Sequence, residues 1–298
     1  MMIDQAQIDV LWAMVQQELS TYRIVRQDLT GRTMTSTQNL CCELFQKDTC
    51  SEYRYNMVDW CYRMIDFCHL HRETVAIAMN FVDRFVVSGK GKVYLMNDSL
   101  YQLVAVTALY TAIKVHEIQA IDLQTLKGVL NVTYSISQIE QVEREMIEAL
   151  KWRLNPPTAM SFVRYFVETV PPRYKLSTPV KEKILMLSCI QTEFAVLDEE
   201  LLEIKSSTIG YCSVINALSV VVNDQGILRQ IRNVLAQTLQ IHKSNYNEVT
   251  LVQSKLYILL CSHQNKNSPF TANGSYSFDR HRTLSHTKQL QRSTTQPR

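Results

Sequence analysis

The stretch from Ser99 to Glu117, SLYQLVAVTALYTAIKVHE, carries no charge between Asp98 and Lys114 and is apolar on nearly every side of a helix. A helix without a polar face must lose its whole circumference to other helices. The segment therefore predicts the central rod of a helical bundle, with Ser99 as its cap. A membrane span is the rival reading. The uncharged run is 15 residues and includes Ser99, Gln102 and Thr107, short of the roughly 20 residues that hydrocarbon requires. Lys114 then stands where the rod reaches the surface, either as a cation at a helix C-terminus or as a contact for a partner.

Proline and glycine divide the rest. No proline precedes Pro156, and Gly31, Gly89, Gly91 and Gly128 fall between helical patterns, which leaves long stretches for helices. Apolar spacing predicts helices over 4–24 (capped by Asp4), 37–46, 50–68, 72–87, 99–117, 121–129 and 136–152, the last opened by Ser135 or Ser137. Asn155-Pro156-Pro157 ends this unit, because a residue before proline is pushed out of the α region. Helices over 158–169, 180–197, 207–222, 226–239 and 246–262 make a second unit, whose stretch STIGYCSVINALSVVV again lacks charge and begins 108 residues after the first. The expected fold is all-α with internal duplication. Its expected parts are an N-terminal helix and lead-in (1–48), a five-helix bundle (49–155), a second bundle (156–263) and a disordered basic tail (264–298).

Charge and motif content narrow the function. Residues 265–298 hold Lys266, Arg280, Arg282, Lys288, Arg292 and Arg298 against Asp279 alone, so of the net charge of +3 the tail carries +5 and the body −2. A nearly neutral body is unlike a nucleic-acid binder, whose basic surface shows in the folded domain. The eight cysteines include no C-x-x-C, and the nearest cluster, Cys61, Cys68, His69 and His71, reads as buried thiols rather than a metal site. No basic segment followed by an apolar run opens the chain, so a reducing compartment, nucleus and cytoplasm, is expected. Phosphate-cradling glycine loops, zinc-binding H-E-x-x-H and nucleophile elbows do not occur. Neither catalysis nor a cofactor is expected.

Arg54 to Trp60 (RYNMVDW), Glu73-Thr74, Asn80 to Phe85 (NFVDRF), Lys114 to Glu117 (KVHE), and Glu143 before Leu150 to Leu154 (LKWRL) together resemble the cyclin box. Arg54, Asp83, Leu103, Lys114 and Glu143 match all five of the positions that define it. The resemblance covers residues 1–155 and extends more loosely over 156–263, where cyclins repeat the fold with little sequence similarity. The LKWRL ending is similar to that of D-type and other G1 cyclins more than to mitotic ones. The resemblance implies a non-catalytic regulatory subunit that binds and activates a cyclin-dependent protein kinase in cell-cycle progression. It implies a buried Arg54–Asp83 ion pair between successive helices, Leu103 in the core, and a kinase-contact surface of Lys114, Glu143, Ile147, Leu150 and Trp152. Glu148, one turn from Arg144, reads as a solvated charge, as does the loop carrying Lys90 and Lys92.

Many cyclins also dock basic–hydrophobic peptides on the first helix of the box, and Met57, Trp60, Arg63 and Gln102 occupy that groove's positions here. Tyr53 and Asn56 depart from its usual Met and Ile, and Arg63 replaces an acidic residue. Like charge repels a basic motif, so docking is expected to be altered or absent. The alternative function is a cyclin-box adaptor in transcription, either the cyclin of a transcriptional kinase or a scaffold similar to transcription factor IIB. A DNA-bound scaffold would need a basic face, which the body's charge of −2 does not supply.

Overall fold

The structure, a computed structural model, describes residues 5–22, 47–95, 97–119, 121–130, 134–239 and 246–265. The helix expected over 37–46 and the tail beyond 265 lie outside the described residues. As far as Ser262 the described residues make one compact unit; a second begins at His263, of which only the end of the last helix is described. Eleven α-helices and no strand occur among the described residues. They are α1 (Gln5–Ser20), α2 (Lys47–Phe67), α3 (Glu73–Val86), α4 (Asp98–His116), α5 (Leu123–Leu130) and α6 (Ile136–Ala149). After the proline pair come α7 (Ala159–Thr169), α8 (Thr178–Leu197), α9 (Ser206–Val221), α10 (Gln225–Thr238) and α11 (Tyr246–Asn265).

The charge-free segment is α4, packed on α3, α6 and α2. Leu103, Val104, Val106, Leu109 and Ile113 are buried around its circumference, each contributing about 1.5–3 kcal/mol by leaving water. The buried Thr107 hydroxyl is satisfied within the helix, donating to the Leu103 carbonyl at 2.8 Å. The cap is Asn97 and not Ser99: the Asn97 side chain accepts from the Ser99 N–H at 2.7 Å, because helical geometry begins one residue earlier, at Asp98. For α6 the choice falls on Ser135, which forms a capping box with Gln138.

The second charge-free segment, α9, is wrapped by α8, α7 and α10. A side chain at Gly210 would stand 2.9 Å from the Ala159 carbonyl and from Phe162 Cβ, so α7 approaches α9 as closely as glycine allows. Where α9 carries amides they are paired: Asn216 donates to Gln191 Oε1 at 2.8 Å and to the Gln253 carbonyl at 2.9 Å, linking α8, α9 and α11.

Helix α1 packs on the second repeat, distant in sequence, with Leu11 in that repeat's core. Its Glu18 accepts from the Ser207 backbone N–H at 3.1 Å and from Ser207 Oγ at 2.6 Å. Lys205, the N-cap of α9, makes no side-chain cap bond, so a carboxylate from another helix takes that place, where the helix dipole favours negative charge. Burial raises the Glu18 carboxyl above the usual range, against the bonds from Ser207.

The repeats are clasped at the start of α3. Arg72 bridges Asp66 at 2.5 Å and Glu193 of α8 at 2.9 Å while stacking on the Tyr62 ring. Glu73 accepts from Thr158, from Ser161 at 2.7 Å and from Arg164 at 2.5 Å, all beyond the proline pair. Burial pushes the Glu73 carboxyl up, but Arg164 and the hydroxyls outweigh it and hold it below the usual carboxylate range. A depressed folded pKa contributes stability above the unfolded value of about 4.3, lost as pH falls through the folded value. Glu73→Gln is expected to lower stability at neutral pH by about 1–3 kcal/mol, and the gap between variant and wild type should close on acidification, as read by urea unfolding at several pH values.

Candidate functional site

The first repeat presents its chemistry where the end of α4 lies against the middle of α6. At the C-cap of α4, Glu117 turns inward: its carboxylate accepts from the His71 N–H at 2.9 Å, His71 Nδ1 at 2.8 Å and Thr74 Oγ1 at 2.5 Å, closing the start of α3. Burial raises the Glu117 carboxyl, but the bonds from His71 and Thr74 prevail and hold it below the usual range.

Lys114 turns outward. Its ammonium lies 2.8 Å from the carboxylate of Glu143 on α6 and 4.9 Å from the centre of the Tyr110 ring. Glu143 is fixed from beneath by Thr111, whose hydroxyl is 2.9 Å from Oε1. The lysine is 44% exposed and the glutamate 13%, so the cation faces solvent while the acid is held in place. Such a pair adds only about 0–1 kcal/mol to folding. It does place an ammonium with spare donors and a carboxylate with spare acceptor capacity side by side.

One turn beyond Glu143, Ile147 is half-buried. Leu150, expected on the same surface, is 4% exposed: it is the C-cap of α6 and turns into the core, so it offers a partner nothing. Trp152 is 76% exposed. The helix ends at Ala149, three residues before the expected end, because Lys151 and Trp152 adopt left-handed backbone at φ 53° and 60°. Trp152 N–H still bonds to the Ile147 carbonyl at 3.1 Å, a closure that normally uses glycine. The sequence reading missed Val115 and Ile118, both exposed. The available signal was their apolar character beside Lys114, just past the buried stretch. Glu148 is not a free charge; it meets Lys90 at 2.7 Å, and Tyr94 from the same loop donates to Glu145 at 2.7 Å, so this loop is pinned to α6.

Arg54 and Asp83 form a two-pronged ion pair, Nη1 to Oδ1 at 2.6 Å and Nη2 to Oδ2 at 3.1 Å, tying α2 to α3. Leu103 lies in the core. Asp83→Ala is expected to cost about 3–5 kcal/mol, because it removes the two-pronged acceptor of a buried guanidinium; thermal and chemical denaturation would measure it.

Among the groove residues, Met57 is buried and Trp60 half-buried. Gln102 is occupied: its Oε1 accepts from Tyr134 at 3.0 Å, and the same hydroxyl reaches the Ser99 carbonyl at 2.8 Å. Arg63 is 72% exposed and paired with Asp59 at 2.8 Å. Near the α4 start, Tyr53 bonds to Asp98, and burial first, then this bond, pushes its hydroxyl up to about 12. A basic–hydrophobic peptide therefore meets a tyrosine over the glutamine and a cation in place of an acid. Titration of such a peptide is expected to show no saturation for the wild type, whereas Arg63→Glu should bind at least about fivefold more tightly.

The cysteine–histidine cluster does not gather: no group among the described residues could hold a metal ion. Cys61 is fully buried, and burial pushes its thiol up to about 12, far from the thiolate that a metal needs. No helix among the described residues is long and apolar enough to cross a membrane.

Residues 22–155 match the family model for the cyclin N-terminal domain. Those residues carry the cyclin box. Among curated relatives it is 27% identical over 247 residues to the G1/S-specific cyclin-E1 of Rattus norvegicus, covering 72% of this chain and 59% of that protein. It is 33% identical over 137 residues to the G2/mitotic-specific cyclin-4 of Candida albicans, covering 46% of this chain and 27% of that protein. The chain thus spans about six-tenths, or less, of the curated relatives it matches. They include G1/S and mitotic members alike and lend the leaning toward D-type cyclins no weight. Among solved structures, a viral cyclin from herpesvirus saimiri superposes with a TM-score of 0.53 at 11% identity, covering 71% of this chain and 85% of that one. A chain of the CAK complex from Chaetomium thermophilum bound to ATP-gamma-S superposes with a TM-score of 0.50 at 12% identity, covering 83% of this chain and 77% of that one. Both support the all-α cyclin-box fold.

Proposed function

We propose that this chain is a regulatory subunit that binds and activates a cyclin-dependent protein kinase, contributing no catalytic group of its own. One observation carries the reading: Lys114 and Glu143 are held together at the rim of the first repeat, fixed from below by Thr111, while Trp152, past the end of the helix that carries Glu143, is exposed. The pair is set to hydrogen-bond backbone groups of the kinase at its C-helix, with the half-buried Ile147 and the exposed Trp152 as the apolar floor. Held inward, that helix lets its glutamate pair with the catalytic lysine and complete the phosphate-binding geometry. Preferential binding to this conformation shifts the kinase population toward it. The relatives named as G1/S-specific and mitotic-specific cyclins support a role in cell-cycle progression. A kinase partner of this class is consistent with nucleus and cytoplasm as the compartment.

The test is co-purification and phosphorylation by the kinase subunit that accompanies the tagged chain. Lys114→Ala with Glu143→Ala is expected to weaken binding by at least about thirtyfold, as for residues at the centre of an interface. Its folding stability should move by no more than about 1 kcal/mol. Wild-type activation by the folded double variant would refute the reading.

A further inference from the structure

We propose that Tyr22 and Arg84 are positioning residues for Trp152, so that α1 controls how the indole is presented to the kinase; this rests on the kinase-binding reading above. The indole of Trp152 is left almost wholly in water, on backbone that a side-chain-bearing residue adopts only at a cost, and Lys151 before it is in the same region. Two consecutive residues in that conformation persist only when their surroundings over-determine it.

The surroundings are specific. Arg84 of α3 donates to the Arg153 carbonyl at 3.0 Å and reaches the Leu150 carbonyl at 3.5 Å, so one guanidinium grips the turn on both sides of Lys151 and Trp152. That guanidinium lies 4.8 Å from the centre of the Tyr22 ring and takes a further bond to Asn80 at 3.2 Å. Tyr22 Oη accepts from the Asn155 N–H at 3.3 Å, and Thr21 Oγ1 accepts from Arg153 Nη1 at 2.9 Å. The Leu154 carbonyl is held by His116 Nε2 at 2.7 Å, from the end of α4. Every residue from Leu150 to Asn155 except Lys151 and Trp152 is thus gripped by a side chain from elsewhere, and two of the grips, Thr21 and Tyr22, directly follow α1. Because α1 is itself anchored in the second repeat through Leu11 and Glu18, the display of Trp152 depends on contacts made by the other half of the molecule.

The experiment uses the full chain carrying fluorotryptophan, in which the three tryptophans give separate fluorine NMR signals, with Trp152 assigned by Trp152→Phe. Tyr22→Ala and Arg84→Gln are each expected to shift or broaden the Trp152 signal while leaving those of Trp12 and Trp60 in place, and Tyr22→Phe, which keeps the ring under the guanidinium, should preserve it. In co-purification with the kinase subunit, Tyr22→Ala should weaken binding by about tenfold. Combined with Trp152→Ala it should add nothing to the loss from Trp152→Ala alone, as for residues acting through one another. An unmoved Trp152 signal in the folded variants overturns the proposal, as do additive losses. If Trp152→Ala weakens binding but Tyr22→Ala does not, positioning fails and the kinase reading stands. If the Lys114→Ala/Glu143→Ala variant binds normally, the kinase reading fails first and the proposal with it.

Discussion

A helix that cannot face water on any side dictates the layout of the first repeat. Because α4 has no charge for four turns, α2, α3 and α6 must surround it, and small residues such as Ala105, Ala108 and Ala112, all buried, let them come close. Polar groups inside are satisfied within the helix, as with Thr107, or from a neighbour, as with Thr111 against Glu143. Charge is thereby confined to the helix ends. At the exit, Glu117 turns inward to close α3 and Lys114 turns outward to meet Glu143. The candidate surface lies where it does because the core leaves no other place for a lysine on that rod.

The second repeat obeys the same constraint with different chemistry. Around α9 a buried amide network joins three helices, and such a network stabilises one arrangement only when each member is paired. The start of α9 is completed by Glu18, from a helix almost two hundred residues away in sequence. The repeats are therefore not two independent bundles on a linker. Glu73 and Arg72 clasp them at one place, and α1 with its following residues straps them at another.

The helices were legible in the sequence because their signals are local: absence of charge, apolar spacing, the Ser135 cap and a proline pair. The Arg54–Asp83 pair and the adjacency of Lys114 and Glu143 could be named because the cyclin-box motif carries them. What escaped depends on tertiary contact. Nothing in the spacing of Leu11 says that α1 packs on the second repeat and not on the adjacent first. Leu150 and Trp152 differ in burial because two left-handed residues reverse the chain after α6, and no glycine announces that turn. The occupation of Gln102 by Tyr134 joins residues 32 apart, and sequence periodicity within either segment is silent on it.

The Lys114–Glu143 pair is weak as a stabilising contact and well placed as a recognition contact, for the same reason. With the lysine open to water, solvent screens the attraction and the fold gains little. Covering the rim with a protein surface removes that solvent, and the same charges then act at a lower effective dielectric, where each hydrogen bond to them counts for more. Desolvation would make an unmatched surface costly to accept. Only a partner that offers both a carbonyl to the ammonium and an N–H to the carboxylate would offset it, so in the proposed complex the pair would discriminate among partners more than it adds affinity. Thr111 beneath Glu143 lowers the cost of ordering the acid on binding, because its side chain is already fixed in the free protein.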